Sequence, residues 1–409
     1  MNRVKFINEF SEVTSLSDLL AAESPAIWCC LDPFCVDMPK ILDFGHSQNP
    51  HNEDIEERLL GNCILSGWAI VSLRRVAYLR DFFAVDAAGT VYLVNPPWRY
   101  GWMIDYFGTD PFEIRSRIER TNVYGIAASV ANSAHTLDGG IKAPEPSITF
   151  SGHVHGHWLF EHLLPLGLWS LFDFYPNLYT MYLKSYQSDL LNLSGYKGQI
   201  REATSPIMYF DHLLLPVPWT RPTSAHVTNR ELEAPENKKR SFNLNNMWWR
   251  GSNPRLLMSV RNLAARAKRH NSQNNRIYVR RDKNALHAVC LNEDDVCALA
   301  LKYGFIVVDP ATLDGEEEAA VFFSASLIMG TTGGGMENII FSRPGSTIIL
   351  LGAEDSVRPS ISCVAASANM KLIRVRCPQF TSLDSVYLGS SSSYVVDLSL
   401  LESLIKTLI

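Results

Sequence analysis

From residue 254 onward the chain switches repeatedly between two hydrophobic periods. Leu256, Leu257, Val260, Leu263, Ala264 and Ala267 recur at helical spacing and predict a helix ahead of the strand "RIYVR". A helix from about Asn292 follows, then the strand "FIVVDP", the helix "EEEAAVFFSA", the strand "LIMG", a glycine-rich loop running into another helix, and the strand "STIILLG". Strand and helix in regular turn predict a parallel sheet wound on both faces. "LSLLESLIKTLI", apolar at Leu398, Leu401, Ile405 and Leu408, predicts one amphipathic helix.

The region 146–220 carries a related but shorter pattern. A strand is expected first, then the long apolar helix "HWLFEHLLPLGLWSLF", the helix "YLKSYQSDLLNLSGY" and the strand "IMYFDHLLLPVP", half of an α/β layer. Residues 1–145 mix aromatics with short alternating runs, and Ala87, Ala88 and Gly89 in "DFFAVDAAGTVYLVNPPW" separate two strand-like pieces as a hairpin turn would. The stretch "TNRELEAPENKKRSFNLNN" is polar and nearly free of aliphatics, which marks a linker. The expected organisation is a β-rich segment over 1–145, an α/β domain over 146–235, a Rossmann-like domain over 236–395 and a terminal helix over 396–409.

Composition narrows the class without naming a chemistry. With 409 residues, 46% hydrophobic and 19% charged, the chain is long enough for two cores. A formal net charge of -5 gives no general attraction to nucleic acid, so no nucleic-acid partner is expected. Eight cysteines without a CxxC pair suggest reduced thiols rather than a zinc ribbon or a disulfide framework. "MNRVKFINEF" lacks an apolar signal core, and no run of about 18 apolar residues occurs, so membrane association would be peripheral. The expected location is the cytoplasm, including the inner face of a membrane.

Four clusters carry candidate chemistry. Gly330, Gly333, Gly334 and Gly335 in "GTTGGGMENIIF" link a strand to a helix, where unpaired N–H groups and a bare backbone would admit a phosphate. The plainer reading is a tight βα turn, and no Walker-type GK[ST] follows. Arg280 and Arg281 stand at the carboxyl end of another strand of the same sheet, suited to gripping a diphosphate or simply to forming a solvated basic turn. Glu293, Asp294 and Asp295 follow a capping Asn292 and are explained as helix-start chemistry rather than a metal site. Last, "SGHVHGHWLFEHLLP" holds His153, His155, His157, Glu161 and His162. If 153–157 is extended, three histidines share one face as metal ligands would; if a helix starts near His157, Glu161 follows one turn later as its orienter.

In order and spacing these segments resemble glycosyltransferase family 61. The family couples an "HWLxExLPRL" helix, an "SRR…NE" segment, a "YGFxVVDPxxL" stretch and a "GxHGAGLTNxIFxxPGxxVIEL" loop and strand. Here they stand as "HWLFEHLLPLGL", "VRRDKNALHAVCLNEDD", "YGFIVVDPATL" and "GTTGGGMENIIFSRPGSTIILL", spanning residues 150–352. Three positions depart from the pattern: Thr332 replaces the family histidine, Leu166 the arginine after proline, and His287 and Ala288 stand where an arginine is usual.

The resemblance implies a GT-B enzyme of two Rossmann-like domains, the C-terminal one binding a nucleotide-sugar donor and the other contributing acceptor groups. It implies an inverting, metal-independent transfer to a glycan hydroxyl with no cofactor, and in bacterial relatives a place in capsule or other surface polysaccharide synthesis. Carried onto this sequence, His157 and Glu161 would be the base and its orienter. Arg280, Arg281, Thr332, Gly333, Gly334, Gly335, Glu337 and Asn338 would bind the donor. Thr332 also suggests an alternative, a catalytically silent nucleotide-sugar-binding relative. A metal-dependent hydrolase using His153, His155 and His157 is a third reading, but it lacks a carboxylate-rich partner segment.

Overall fold

The computed structural model describes residues 4–6, 10–32, 34–37, 42–44, 62–65, 67–79, 83–93, 142–150, 155–180, 183–203, 207–219, 253–267, 276–281, 289–353, 359–380 and 393–409. The expected α/β class is what forms. Helices Pro254–Ala264, Glu293–Lys302, Gly315–Ser324 and Leu398–Leu408 alternate with strands Arg276–Val279, Ile306–Val308, Leu327–Thr331 and Thr347–Ala353, and helix Pro359–Ser367 and strand Lys371–Cys377 extend the series. The turn expected at Ala87 to Gly89 joins strands Phe83–Asp86 and Val91–Leu93. The polar stretch read as a linker lies outside the described residues.

The C-terminal sheet has six strands, all parallel, in the order Ile306–Val308, Arg276–Val279, Leu327–Thr331, Thr347–Ala353, Lys371–Cys377 and Leu42–Phe44. Period-2 alternation sends Tyr278, Met329, Ile349, Ile373 and Val375 to one face, against Val296, Ala300, Leu401 and Ile405. Ile277, Val279, Ile328, Leu350 and Leu372 go to the other, against Leu256, Val260, Phe322, Ile361 and Val364. This is the doubly wound arrangement. Its sixth strand was not legible, because Leu42–Phe44 is a short run that belongs to the N-terminal segment.

From Arg276–Val279 the chain moves to Ile306–Val308 on one side, then crosses to Leu327–Thr331 on the other. Strand order therefore reverses at Arg276–Val279, and the crevice beyond such a reversal is where open α/β sheets bind ligands. Arg280 and Arg281 leave one strand there, and Thr332 to Gly335 leave its neighbour, with Val279 paired to Gly330. The glycine segment continues as a 3-10 helix, Gly334–Phe341. Two leading glycines and the adjacent β-branched Ile339 and Ile340 weaken the case for the α-helical alternative.

The other large sheet has ten strands and is mixed. Its long central pair, Gly67–Leu79 and Ile207–Trp219, is antiparallel, and Lys142–Phe150, Asn177–Thr180 and Ile200–Glu202 extend it in parallel. Strands on both sides of residue 145 thus share one sheet. Helices over 155–171 and Ser185–Ser194 form its crossovers. The first of these contains a π turn, Leu159–Leu163, in which the Leu164 N–H bonds to the Leu159 carbonyl. Pro165 explains it, since a proline ring inside a regular helix clashes with the carbonyl four residues earlier. Trp158, Leu163 and Leu164 pack in the same core as Val279, Ile328 and Met336, so the two sheets are joined through buried apolar side chains.

Candidate active site

At the switch point Arg281 is held on three sides. Its N–H donates to Glu293 Oε1 at 2.8 Å, its Nη1 donates to the Thr332 carbonyl, and a Cβ added to Gly333 would collide with that Nη1. Glu293 also accepts from the Tyr278 hydroxyl at 3.1 Å, and burial pushes its carboxyl above the usual range against these hydrogen bonds. Gly333 is therefore bare to admit a guanidinium of the protein itself. Arg280 is different: its backbone N–H donates to the Val308 carbonyl at 2.8 Å and its Nη2 to the exposed Asp294.

The acidic residues expected only to start a helix thus also hold the two arginines. Asn292 occupies the cap position, but its side chain does not cap: Oδ1 accepts from the Val396 N–H and Nδ2 donates to the Val396 carbonyl, each at 2.9 Å. The C-terminal segment takes the amide that the sequence assigned to the helix start.

The glycines divide by what they face. A Cβ on Gly335 would meet Pro310 Cγ at 3.2 Å and Val279 Cγ1 at 3.4 Å, whereas one on Gly334 would meet nothing within 4 Å. The first internal bond here is from Met336 N–H to the Gly333 carbonyl at 3.1 Å, and the N–H groups of Gly334 and Gly335 make no hydrogen bond among the described residues. Thr332 is buried; its N–H donates to the Leu351 carbonyl at 2.8 Å, and its hydroxyl has no hydrogen-bond partner among the described residues.

Glu337 and Asn338 turn inward. Glu337 Oε1 accepts from the Ser360 hydroxyl at 2.8 Å, and a Cβ on Gly156 would sit 3.1 Å from Glu337 Cγ, so helix 155–171 starts hard against the glycine segment. The fully buried Asn338 donates through Nδ2 to Glu318 Oε1 and meets His155 Nε2 at 2.8 Å through Oδ1. His155 Nε2 also lies 3.6 Å from Glu318 Oε1, and its ring centroid is 5.1 Å from that of Tyr186. Gly315 makes this possible: any Cβ there would collide with the Tyr186 carbonyl, so helix Gly315–Ser324 docks closely on helix Ser185–Ser194 and brings Glu318 within reach. Burial lowers the His155 pKa, with Lys184 adding to the effect and Asn338 opposing it.

Burial pushes the Glu318 carboxyl up to about 8, although the hydrogen bond from Asn338 acts the other way. The sign follows from linkage. Above the ordinary value near 4.5 the unfolded chain has released this proton and the folded chain keeps it, so stability falls with rising pH until the folded group ionises near 8. Glu318→Gln should flatten that part of a stability profile measured by urea unfolding between pH 4.5 and 8. An unchanged slope would show that Glu318 is not held neutral.

Of the sequence candidates, His153 lies outside the described residues. His155 and His157 stand in the first turn of a helix, about 200° apart around its axis. The extended arrangement with one shared face does not form between them. Only the backbone of His157 is described, and Glu161 is half-buried on the π turn. Among the described residues no three His, Cys, Asp or Glu side chains gather as metal ligands. The sequence offered His155 only as one of three metal-ligand candidates and passed over Glu318. A signal was present, since Glu318 falls on the buried stripe with Gly315, Ala319 and Phe322.

These segments, from the histidine helix to the strand after the glycines, bound one region of the sequence. Residues 155–349 match the family model Glycosyltransferase 61. The match runs from His155 itself through both arginines, Glu318 and Asn338, while Leu351, Ser360 and Val396 lie beyond it. A glycosyltransferase 61 region supports a transferase that takes a donor and an acceptor substrate. No curated protein matches the chain in sequence.

Proposed function

We propose that the chain transfers a sugar from a nucleotide-sugar donor to a glycan hydroxyl, with inversion at the anomeric carbon and without a metal ion. The observation that carries this reading is the switch point, where Arg280 and Arg281 end one strand and Gly334 and Gly335, whose N–H groups make no hydrogen bond among the described residues, follow its neighbour. The departing diphosphate lies against Gly334, the glycine open to space. Aligned N–H groups and a nearby guanidinium stabilise charge as it develops on the leaving phosphate. The buried Thr332 hydroxyl, without a partner among the described residues, is a donor that a phosphate oxygen would satisfy. Arg281 acts mainly by holding the loop, and Arg280 exchanges Asp294 for phosphate.

Two histidines of one helix compete for the acceptor proton. From sequence the candidate is His157 oriented by Glu161. The two-sheet arrangement is read as GT-B, with the six-stranded sheet on the donor side. The proposed setting is surface polysaccharide synthesis at the inner face of a membrane; among the described residues no helix is long and apolar enough to cross one.

The burial of Thr332 favours a second reading, a relative that binds nucleotide sugars without turnover. A thermal-shift panel of UDP-, GDP-, CDP- and TDP-linked sugars tests both, because a ligand at 100 times its Kd stabilises by about 2.7 kcal/mol. Stabilisation by one nucleotide class with release of the diphosphate supports transfer. Stabilisation without release supports the silent relative, and no shift with any sugar nucleotide contradicts both.

A further inference from the structure

We propose that His155, rather than His157, takes the acceptor proton, held in one tautomer by Asn338 with Glu318 behind it; this rests on the transferase reading above. The assignment begins with Asn338. Its Nδ2 donates to a carboxyl oxygen of Glu318, which orients the amide and leaves Oδ1 towards His155. An amide oxygen only accepts, so His155 Nε2 carries the hydrogen across the 2.8 Å contact. A neutral ring protonated at Nε2 has its lone pair on Nδ1, and Nδ1 makes no hydrogen bond among the described residues. The ring is poised as an acceptor.

The surroundings favour that state. Glu318 faces the ring from helix Gly315–Ser324, Tyr186 and Lys184 from the start of helix Ser185–Ser194, and Asn338 from the glycine segment. Asn338 stands four residues beyond Gly334, about 8 Å along a 3-10 axis rising ~2.0 Å per residue. In the transfer the acceptor oxygen forms a bond to the anomeric carbon. The bond from that carbon to the diphosphate oxygen breaks, its electron pair leaves with the diphosphate, and the hydroxyl proton goes to His155 Nδ1. The resulting imidazolium keeps its Nε2–H on Asn338, with a Glu318 carboxyl oxygen 3.6 Å away. Asn338 and Glu318 are positioning residues, because they act through His155.

The test uses the full chain and the donor panel. His155→Ala should lower the rate of nucleoside diphosphate release by about 10² to 10⁴-fold, the usual contribution of a general base, with donor affinity at the wild-type value. Glu318→Gln, isosteric and still an acceptor for Asn338, should fold and lose one inflection of the pH–rate profile. Nitrogen NMR of the histidines gives a readout independent of turnover: His155 should be protonated at Nε2 when neutral and titrate below 6.5. A ring protonated at Nδ1, or wild-type turnover in His155→Ala beside lost turnover in His157→Ala, overturns the proposal alone. A wild-type chain that turns over none of the sugar nucleotides overturns the transferase reading, and the role of His155 falls with it.

Discussion

A Gly334→Val chain should melt where the wild type does and bind nucleoside diphosphates at least tenfold more weakly, a loss of about 1.4 kcal/mol or more. The expectation rests on the division among the glycines. A side chain on Gly334 enters open space, so folding has nothing to resist it, whereas one on Gly335 presses on Pro310 and Val279. Gly335→Val would therefore confound lost binding with lost packing. Nor does the backbone at Gly334 hold a left-handed conformation that a branched residue would strain. If the crevice is a diphosphate site, the added methyls occupy the surface on which the phosphates lie. Titration calorimetry with UDP and GDP, beside a melting curve, checks both halves. Unchanged affinity in a folded variant would show that the glycines serve only the turn.

Arg281→Ala should differ from Arg280→Ala in kind. The Arg281 guanidinium donates to the Thr332 carbonyl and fills the space that Gly333 leaves. Removing it takes away a charged hydrogen bond, worth about 1.5–3 kcal/mol, and frees the loop that presents Gly334. Both stability and nucleotide affinity should fall, the affinity by tenfold or more on the usual scale of about 1.4 kcal/mol per decade. Arg280 meets the exposed Asp294, and exposed ion pairs contribute about 0–1 kcal/mol. Its alanine variant should keep its stability and lose only affinity. Urea unfolding and calorimetry on both variants separate the cases. Wild-type stability in Arg281→Ala would remove its role as the holder of the loop.

The alternation of elements was legible because each helix and strand of the C-terminal sheet buries one stripe at its own period, as Leu256, Val260 and Leu263 do. The place of the crevice followed, since Arg280 and Gly333 sit at ends of strands that the alternation itself defines. What could not be read is tertiary. Leu42–Phe44 joins the sheet from more than three hundred residues before its partner strand, and nothing local marks it. His155 and Asn338 are 183 residues apart in sequence, so the contact between them exists only once two elements have docked. The resemblance pointed to Asn338 as a donor ligand, whereas the structure turns it towards His155 and Glu318. Which of three successive glycines faces open space is likewise set by backbone rotation. Glu318 was the legible exception, an acidic residue on an apolar stripe.

The most direct measurement is chromatographic detection of nucleoside diphosphate released from UDP-, GDP-, CDP- and TDP-linked sugars by the wild-type chain, run beside Gly334→Val. The account predicts release from one nucleotide class by the wild type and none above background by the variant. Equal release by both proteins, or no release from any donor by a wild-type chain that none of them stabilises, would contradict it.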